Sequence, residues 1–229
     1  MLDQFTPKGR ILAAALDCAA AKSWDAVTLL DIAEAAKLPL SDLRNEVGSK
    51  TDILAALMRA VDDEVLKRAP KRSEGQTARD ALFDIVMTRF DVLGPYRKAL
   101  KSIHAAGPAD LGLARPVLAS MQWMLEAAGI GTDGPGGSLR VTGLAAVYAS
   151  VFRTWLEDDD PGHARTMAAL DRRLRRGESA IRNVEQVTSV VQRLATDGPA
   201  FLRSVFRGRS TPPPPPPPPS GQSSEAGLP

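Results

Sequence analysis

Apolar residues in this sequence recur at intervals of three and four along almost its entire length. No stretch of four to eight residues combines alternating apolar and polar positions with an excess of β-branched side chains, which is the pattern of a half-buried strand. The sequence therefore predicts an all-α protein. The first predicted helix covers residues 7–21, and its apolar face consists of Ile11, Leu12, Ala15, Leu16 and Ala19.

The chain has 229 residues, of which 44% are hydrophobic and 24% charged, so it can bury a sizeable core. No apolar run is long enough to span a bilayer, and residues 1–10 lack the pattern of a secretory signal. We therefore expect a protein of the cytoplasm. The single Cys18 excludes an internal disulfide, and His104 and His163 form no cluster with the spacing of metal ligands.

The net charge of +2 conceals an uneven distribution. Residues 165–209 contain ten arginines and only four acidic residues, whereas residues 1–68 contain more acidic than basic residues. The positive charge is therefore concentrated towards the C-terminus. Residues 210–229 contain eight consecutive prolines at 212–219 and end in a Ser/Gly-rich segment. This composition cannot bury apolar surface and predicts a disordered tail.

Capping signals predict where the helices after the first one begin. Thr28 and Asp31 form a capping-box variant before a short helix at about 29–36, and further helices are predicted at 41–47 and 49–68. Later helices are predicted at 77–93, 95–106, 116–128 and 139–156, with one more beginning at Asp160-Pro161.

The segment Gly129–Gly134 matches the spacing G-x-G-x-x-G of dinucleotide-binding proteins. That motif requires a preceding strand and a helix directly after it, whereas here a helix is predicted before it and Pro135 follows. Residues 129–138 are therefore predicted to be a loop. The acidic run at 157–160 is interpreted as a helix start, not as a metal site.

Residues 10–68 resemble the DNA-binding domain of tetracycline-repressor-like proteins. The resemblance is carried in order by Arg10-Ile-Leu-Ala-Ala-Ala, Trp24-Asp-Ala-Val-Thr28, Asp31-Ile-Ala-Glu-Ala-Ala36, Leu40-Ser-Asp-Leu43 and Gly48-Ser-Lys50. It implies an N-terminal three-helix domain with a helix-turn-helix, followed by a C-terminal helical bundle. If the chain binds DNA, the contacting residues are expected to be Arg10, Arg44, Asn45 and Lys50.

The helix that would read DNA departs from that family. The family pattern places an aromatic residue, a histidine and a phenylalanine where this sequence has Arg44, Glu46 and Val47. Asp42 and Glu46 would also face the phosphate backbone, whose binding depends on cationic neutralisation. A transcriptional regulator that binds DNA and senses a small apolar effector is therefore the alternative function and not the leading one.

Two predicted helices of the C-terminal half combine aliphatic, methionine and aromatic residues on one face. These residues are Leu118, Met121, Met124, Leu144, Val147, Tyr148, Val151, Phe152 and Trp155. Such faces can enclose an apolar ligand, because methionine adapts to irregular partners and Tyr and Trp add a polar atom to a large ring. The same pattern is more typical of a ligand-free core, and both interpretations stay open.

A second resemblance covers most of residues 78–176. The sequence Leu144-Ala-Ala-Val-Tyr148, then Trp155, Asp158–Pro161, Thr166 and Leu170-Asp-Arg-Arg173, is similar to the C-terminal domain of the coenzyme Q biosynthesis accessory family, the lipid-binding ninth member of that pathway. A stretch from Asp80-Ala81 through Arg89 to Ala99-Leu100 agrees with it. The resemblance implies a tetracycline-repressor-like fold, binding of isoprenoid lipid and assistance to ubiquinone-synthesis enzymes without catalysis.

The C-terminal residues before the proline run are basic and amphipathic. The segment 180–194 has one apolar face, and an anionic membrane is expected to be contacted by Phe201, Leu202, Arg203, Val205, Phe206, Arg207 and Arg209. The resembled family is likewise implied to use a terminal amphipathic helix at the membrane. Docking on the protein's own bundle or on a dimer partner is the other interpretation of 180–194.

These observations predict four regions: a helix-turn-helix-like domain at 1–68, a ligand-binding domain at 77–176, basic helices at 177–209 and a tail at 210–229. The leading hypothesis is a non-enzymatic accessory protein of ubiquinone biosynthesis. It would need no cofactor, hold an isoprenoid or quinone-like lipid, assist a ubiquinone-synthesis enzyme and associate peripherally with the inner face of the cytoplasmic membrane. Both resemblances imply a homodimer.

Overall fold

The computed structural model describes residues 5–70, 72–106 and 111–178, and these residues form helices and loops without a strand. The all-α prediction is therefore confirmed. The first eight helices are α1 (Pro7–Ala21), α2 (Leu29–Ala35), α3 (Leu40–Glu46), α4 (Lys50–Arg68), α5 (Ala78–Leu93), α6 (Arg97–Ala105), α7 (Ala114–Ala127) and α8 (Gly134–Glu157). A ninth, α9, is helical over the described residues 164–178.

Helices α1 to α3 form a small three-helix unit in which α2 and α3 are joined by a tight turn. Lys37 closes α2 in the left-handed region at φ 55°, and the Leu38 N–H donates to the Ala33 carbonyl at 3.0 Å. Helix α1 packs on α2, α3, α4 and α6. The residues that join these helices are fully buried and comprise Ile11, Ile32, Leu43 and Ile53.

The predicted capping box at the start of α2 is present. The Thr28 hydroxyl accepts from the Asp31 N–H at 3.1 Å, and the Asp31 carboxylate accepts from the Thr28 N–H at 2.7 Å. Lys22 Nζ also donates to this carboxylate at 2.7 Å. The bonds from Lys22 and Thr28 hold the pKa of the Asp31 carboxyl well below its usual range. The start of α2 is therefore determined by the hydrogen bonds of Thr28 and Asp31.

We expect Thr28→Ala to lower the free energy of unfolding by about 1 kcal/mol, because an N-terminal donor of α2 loses its acceptor. Urea unfolding followed by circular dichroism measures the loss. Ser23→Ala is the matched control, since Ser23 precedes a short 3-10 turn and makes no capping hydrogen bond. An equal loss in both variants would contradict the assignment.

The remaining helices pack on α4 and on one another. Helix α4 packs on α5 and α7, α7 packs on α5 and α8, and α6 lies between α1 and α8. These helices share an apolar core, whose fully buried members include Ile85, Phe90, Met121, Val151, Trp155 and Leu170. The buried candidate ligand residues on α7 and α8 therefore face the same core as α4 and α5.

Two C-terminal helices begin earlier than predicted. Helix α7 begins at Ala114 because a 3-10 turn at Leu111–Leu113 leads directly into it, and its proline then falls in the first turn. Helix α8 begins at Gly134 and not at residue 139, so the prediction of a loop at 129–138 was wrong for its second half. Pro135 is tolerated there because the N–H groups in the first turn of a helix have no acceptor within the helix, so a residue without an N–H loses no hydrogen bond.

Helix α9 begins at residue 164, so the predicted start at Asp160-Pro161 was wrong. His163 has a left-handed φ of 52°, which separates the turn after Asp160 from the helix. The Asp160 carboxylate accepts from the N–H groups of Gly162 and Ala164. The buried Asp158 carboxylate accepts from both the N–H of Thr166, at 2.8 Å, and its hydroxyl.

We expect the bonds to Asp158 to make stability depend on pH. Burial opposes ionisation of this carboxyl, but the hydrogen bonds from Thr166 outweigh it and lower its pKa. A lowered folded-state pKa means that the stabilisation is present above about pH 4, the unfolded value, and is lost as the pH falls through the folded value. Asp158→Asn should therefore cost about 1–2 kcal/mol at pH 7 and progressively less at acid pH.

Thermal unfolding between pH 3 and 7 measures this difference. The exposed neighbour gives the matched control, Asp159→Asn, which should track the unsubstituted protein throughout. A constant gap between Asp158→Asn and the unsubstituted protein at every pH would contradict the assignment.

The described residues belong to one compact unit. Residues 69–77, other than the undescribed residue 71, are non-helical and separate α4 from α5, but the functional boundary between 1–68 and 77–176 stays a prediction. The regions 177–209 and 210–229 lie outside the described residues, except for residues 177 and 178.

Candidate ligand-binding site

The nine candidate ligand residues differ in how deeply the bundle buries them. Leu118 on α7 is exposed to 38% and points away from the core. Val147, Tyr148 and Phe152 on α8 are partly buried and pack against the core. The other candidates are buried and comprise Met121, Met124, Leu144, Val151 and Trp155. Helices α7 and α8 thus bring eight of the nine to one apolar region.

Aromatic rings dominate this apolar region. Phe90 on α5, which the sequence analysis did not select, stacks on Trp155 with centroids 5.2 Å apart and on Tyr148 at 5.6 Å. Phe152 stacks on Trp155 at 5.6 Å and on Tyr148 at 5.9 Å. His104 on α6 contacts the Phe152 ring edge-on. We call Phe90, Tyr148, Phe152 and Trp155 the aromatic cluster.

A buried polar cluster lies beside the aromatic cluster, and its four residues come from four different helices. Arg89 on α5 donates from Nη1 to the Asp62 carboxylate on α4 and from Nε to the Tyr148 hydroxyl on α8, the latter at 3.1 Å. Ser120 on α7 donates its hydroxyl to the same Asp62 oxygen at 2.6 Å. We call Asp62, Arg89, Ser120 and Tyr148 the polar cluster.

Burial and neighbouring polar groups act together on the pKa values of Arg89 and Tyr148. Arg89 is exposed to only 3%; burial disfavours its charge, but Tyr148 and Asp62 outweigh this effect and raise its pKa. Burial also raises the pKa of Tyr148, against the opposing effect of Arg89, so the phenol stays protonated at neutral pH. The cluster therefore combines a charged guanidinium, ion-paired with the Asp62 carboxylate, and a neutral phenol.

A second arginine fixes the end of α8 over the aromatic cluster. Arg97 on α6 donates from Nη2 to the carbonyls of Trp155 and Asp158, which are among the last carbonyls of α8. Its guanidinium lies over the Trp155 ring, 5.1 Å from the centroid. The indole Nε1–H of Trp155 is buried and has no acceptor among the described residues.

The candidate DNA-contacting residues have different surroundings. Arg44 and Asn45 are exposed on α3 together with Asp42 and Glu46, and Arg10 is partly buried on α1. Lys50 is engaged within the protein, because its Nζ donates to the Trp24 carbonyl at 2.6 Å and the Val27 carbonyl at 2.9 Å. It also lies over the Trp24 ring, 4.6 Å from the centroid.

Other reactive groups form no site in the described part of the chain. Its His, Cys, Asp and Glu residues include no group of three or more that could hold a metal ion. Burial raises the pKa of the Cys18 thiol, whose Sγ lies 3.8 Å from the Asp31 carbonyl oxygen. Across residues 5–70, 72–106 and 111–178, every helix is too short or too polar to cross a membrane.

The predicted membrane-contacting residues lie outside the described residues. They are Phe201, Leu202, Arg203, Val205, Phe206, Arg207 and Arg209.

Comparison with solved structures identifies the fold. A TetR transcriptional regulator from Nitrosomonas europaea is 24% identical, with a TM-score of 0.59 over 75% of this chain and 97% of that regulator. A TetR regulator from Rhodococcus is 18% identical, with a TM-score of 0.57 over 73% of this chain and 93% of that regulator. A TetR-family regulator from Streptomyces coelicolor is 16% identical, with a TM-score of 0.55 over 88% of this chain and 97% of that regulator. At these identities the likeness establishes the fold alone.

Comparison with family models gives a match to a segment near the C-terminal end of the described chain. Residues 140–180 match the COQ9 model, which places the match on most of α8 and on the described part of α9. The matched segment contributes three of the four rings of the aromatic cluster. No curated protein matches the chain significantly. The chain therefore has the fold of the TetR regulators, and its residues 140–180 are similar to the COQ9 family.

Proposed function

We propose that this COQ9-like chain is a non-enzymatic accessory protein of ubiquinone biosynthesis that holds an isoprenoid lipid in its C-terminal bundle. The COQ9 match supports the accessory role. The observation that carries the lipid-holding part is the position of that match, because the segment 140–180 supplies the apolar wall of α8 with Leu144, Val151 and Trp155. Apolar and aromatic walls with few polar groups are typical of small-molecule sites.

Organic extraction of the purified full-length protein, followed by mass spectrometry, tests this function. We expect an isoprenoid lipid to be recovered in near-stoichiometric amount. Val151→Asp should abolish its recovery by placing a charge on the buried face of α8, while Arg153→Asp on the exposed face of the same helix is the matched control. Repeated extraction without any isoprenoid would contradict the proposal.

We also propose that the protein takes its lipid from a membrane and passes it to a ubiquinone-synthesis enzyme, which requires contact with the membrane. Phe201 and Phe206 with the neighbouring arginines have the composition of an interfacial anchor. Each arginine near an anionic surface would add about 1 kcal/mol of attraction. Full-length protein should co-sediment with vesicles rich in anionic lipid and not with zwitterionic ones, and Phe201→Ser with Phe206→Ser should abolish sedimentation. Equal sedimentation with both vesicle types would contradict this mechanism.

A DNA-binding regulator with a small apolar effector is the second candidate function. The exposure of Arg44 and Asn45 on α3 favours it, because exposed side chains on this helix could reach phosphates or base edges. Asp42 and Glu46 on the same helix oppose it. Specific binding to its own promoter at physiological salt, lost in Arg44→Ala, would establish this function; binding that disappears at physiological salt would exclude it.

A further inference from the structure

Two contacts between distant helices define one end of the helical bundle. Arg79, in the first turn of α5, has its Nη1 atom 3.7 Å from the Glu178 carboxylate, at the end of the described part of α9. Arg72, in the connection between α4 and α5, has its Nη1 atom 3.3 Å from the position that a Cβ atom on Gly129 would take, just after α7. The ends of α4, α7 and α9 and the starts of α5 and α8 therefore lie at the same end of the bundle.

Basic side chains outnumber acidic ones at this end. The last turn of α4, the connection 72–77, the first turn of α5, the last turn of α7 and residues 171–178 of α9 contain eight basic and five acidic residues. Seven of the eight basic side chains are exposed. We call this part of the surface the basic end, and its basic residues are Lys67, Arg68, Arg72, Arg79, Arg172, Arg173, Arg175 and Arg176.

The opposite end of the bundle carries the acidic run at 157–160. Arg97, at the start of α6, donates to the carbonyls of Trp155 and Asp158 at the end of α8, so α5 and α8 end there and α9 begins there. Three of the four carboxylates of this run are exposed. An anionic surface therefore attracts the basic end and is repelled by the turn at the opposite end, which gives the bundle a preferred orientation on such a surface.

Large apolar side chains are exposed close to the basic end. Asp62 on α4 accepts from Ser120 on α7, and Leu66 and Trp123 follow these two residues by about one helical turn towards the basic end. Leu66 is 37% exposed and Trp123 is 59% exposed, and Leu139 in the second turn of α8 is 46% exposed. An exposed tryptophan and leucines beside cations are typical of a surface that enters the headgroup region of a bilayer.

We propose that the basic end of the folded bundle is a membrane-docking surface, whose exposed cations contact anionic lipid headgroups and whose Trp123 enters the headgroup region. This inference rests on the proposed membrane contact of residues 201–209 and adds a second contact, which orients the bundle. The described chain reaches Glu178 at the basic end and continues from there into the predicted membrane-contacting segment. Two weak contacts on one chain bind a membrane far more tightly together than either does alone.

Co-sedimentation of the full-length protein with vesicles of phosphatidylglycerol and phosphatidylcholine at physiological salt tests the role of the charges. Lys67→Glu with Arg172→Glu should raise the lipid concentration that binds half of the protein by roughly tenfold or more, because two attractive charges become repulsive. The matched control, Arg153→Glu with Arg165→Glu, makes the same change of net charge at exposed positions near the opposite end. It should have little effect, because α5 alone separates the two ends by about 24 Å, roughly three Debye lengths.

Tryptophan fluorescence tests which surface of the bundle meets the lipid. Of the three tryptophans in the chain, Trp24 and Trp155 are buried and Trp123 is exposed, so Trp123 is the one that reports contact with lipid. We expect anionic vesicles to shift the emission of the full-length protein to shorter wavelength, and lipids with brominated acyl chains to quench it. Trp123→Phe should abolish both changes.

Each outcome bears on a different step. Sedimentation without any change in the Trp123 emission, or an unchanged lipid requirement in Lys67→Glu with Arg172→Glu, would overturn the inference and leave the proposed contact of residues 201–209 standing. Failure of the full-length protein to sediment with anionic vesicles would contradict that contact, and the inference with it. Binding of duplex DNA instead of vesicles, lost in the same double variant, would assign the basic end to nucleic acid and overturn the inference. If the double variant does not fold, the fluorescence of the unsubstituted protein and of Trp123→Phe decides alone.

Discussion

Replacement of Trp155 by alanine should lower the free energy of unfolding by about 3–5 kcal/mol, the range for a large aromatic residue removed from a core. Trp155 is fully buried near the C-terminal end of α8. Its ring packs between Phe90 and Phe152, and the Arg97 guanidinium lies over it. The substitution therefore removes apolar burial, two ring contacts and the partner of a cation at once.

Guanidinium unfolding followed by far-ultraviolet circular dichroism measures this loss without depending on tryptophan fluorescence. Trp123→Ala is a matched control, because Trp123 is 59% exposed on α7 and its removal should change stability by less than about 0.5 kcal/mol. Similar losses in the two variants would show that Trp155 contributes no more to the free energy of unfolding than an exposed tryptophan does. A second expected effect is the loss of bound isoprenoid from Trp155→Ala.

The short-range features of the fold could be predicted from sequence because their causes lie within a few residues. The capping box of Thr28 and Asp31 depends on two side chains three residues apart, and both bonds are present. Helix α1 was predicted with its observed bounds, Pro7–Ala21, because its apolar face and its first-turn proline both lie within the helix. Local chemistry therefore suffices for the N-terminal helices.

Helix starts in the C-terminal bundle were harder to predict because glycine and proline occur both in loops and in the first turn of a helix. The segment from Gly134 was predicted to be a loop, yet α8 begins there, since glycine and proline are tolerated where a helix has not yet formed its hydrogen bonds. The start of α9 depends on the left-handed φ of His163 and on the buried Asp158 carboxylate. No pattern in the sequence indicates either.

The candidate site was predicted in part. Periodicity identified the apolar faces of α7 and α8, but it placed Leu118 with them although that side chain is 38% exposed. It could not supply Phe90, because nothing in a sequence says which face of α5 meets α8. A signal for Arg89 was present: a charged residue lies four residues after Ile85 and four before Leu93, both of which are buried. Such a charge within an apolar stripe requires a partner.

The partner of Arg89 is Asp62, which lies 27 residues earlier on α4. Substitution of Asp62 gives the second large expected effect on stability. We expect Asp62→Ala to lower the free energy of unfolding by about 3–5 kcal/mol, because it leaves the Arg89 charge buried without compensation. Ser120 would lose its acceptor at the same time. Asp63→Ala, at the exposed neighbouring position, should change stability by less than about 0.5 kcal/mol.

The double variant Asp62→Ala with Arg89→Met separates the cost of an unpaired charge from the value of the pair. If uncompensated charge is the cause, the double variant should be more stable than Asp62→Ala alone, because methionine fills a similar space without a charge. Chemical unfolding of the four proteins of this cycle gives the coupling energy between the two sites. Additive losses would mean that the pair acts only through packing.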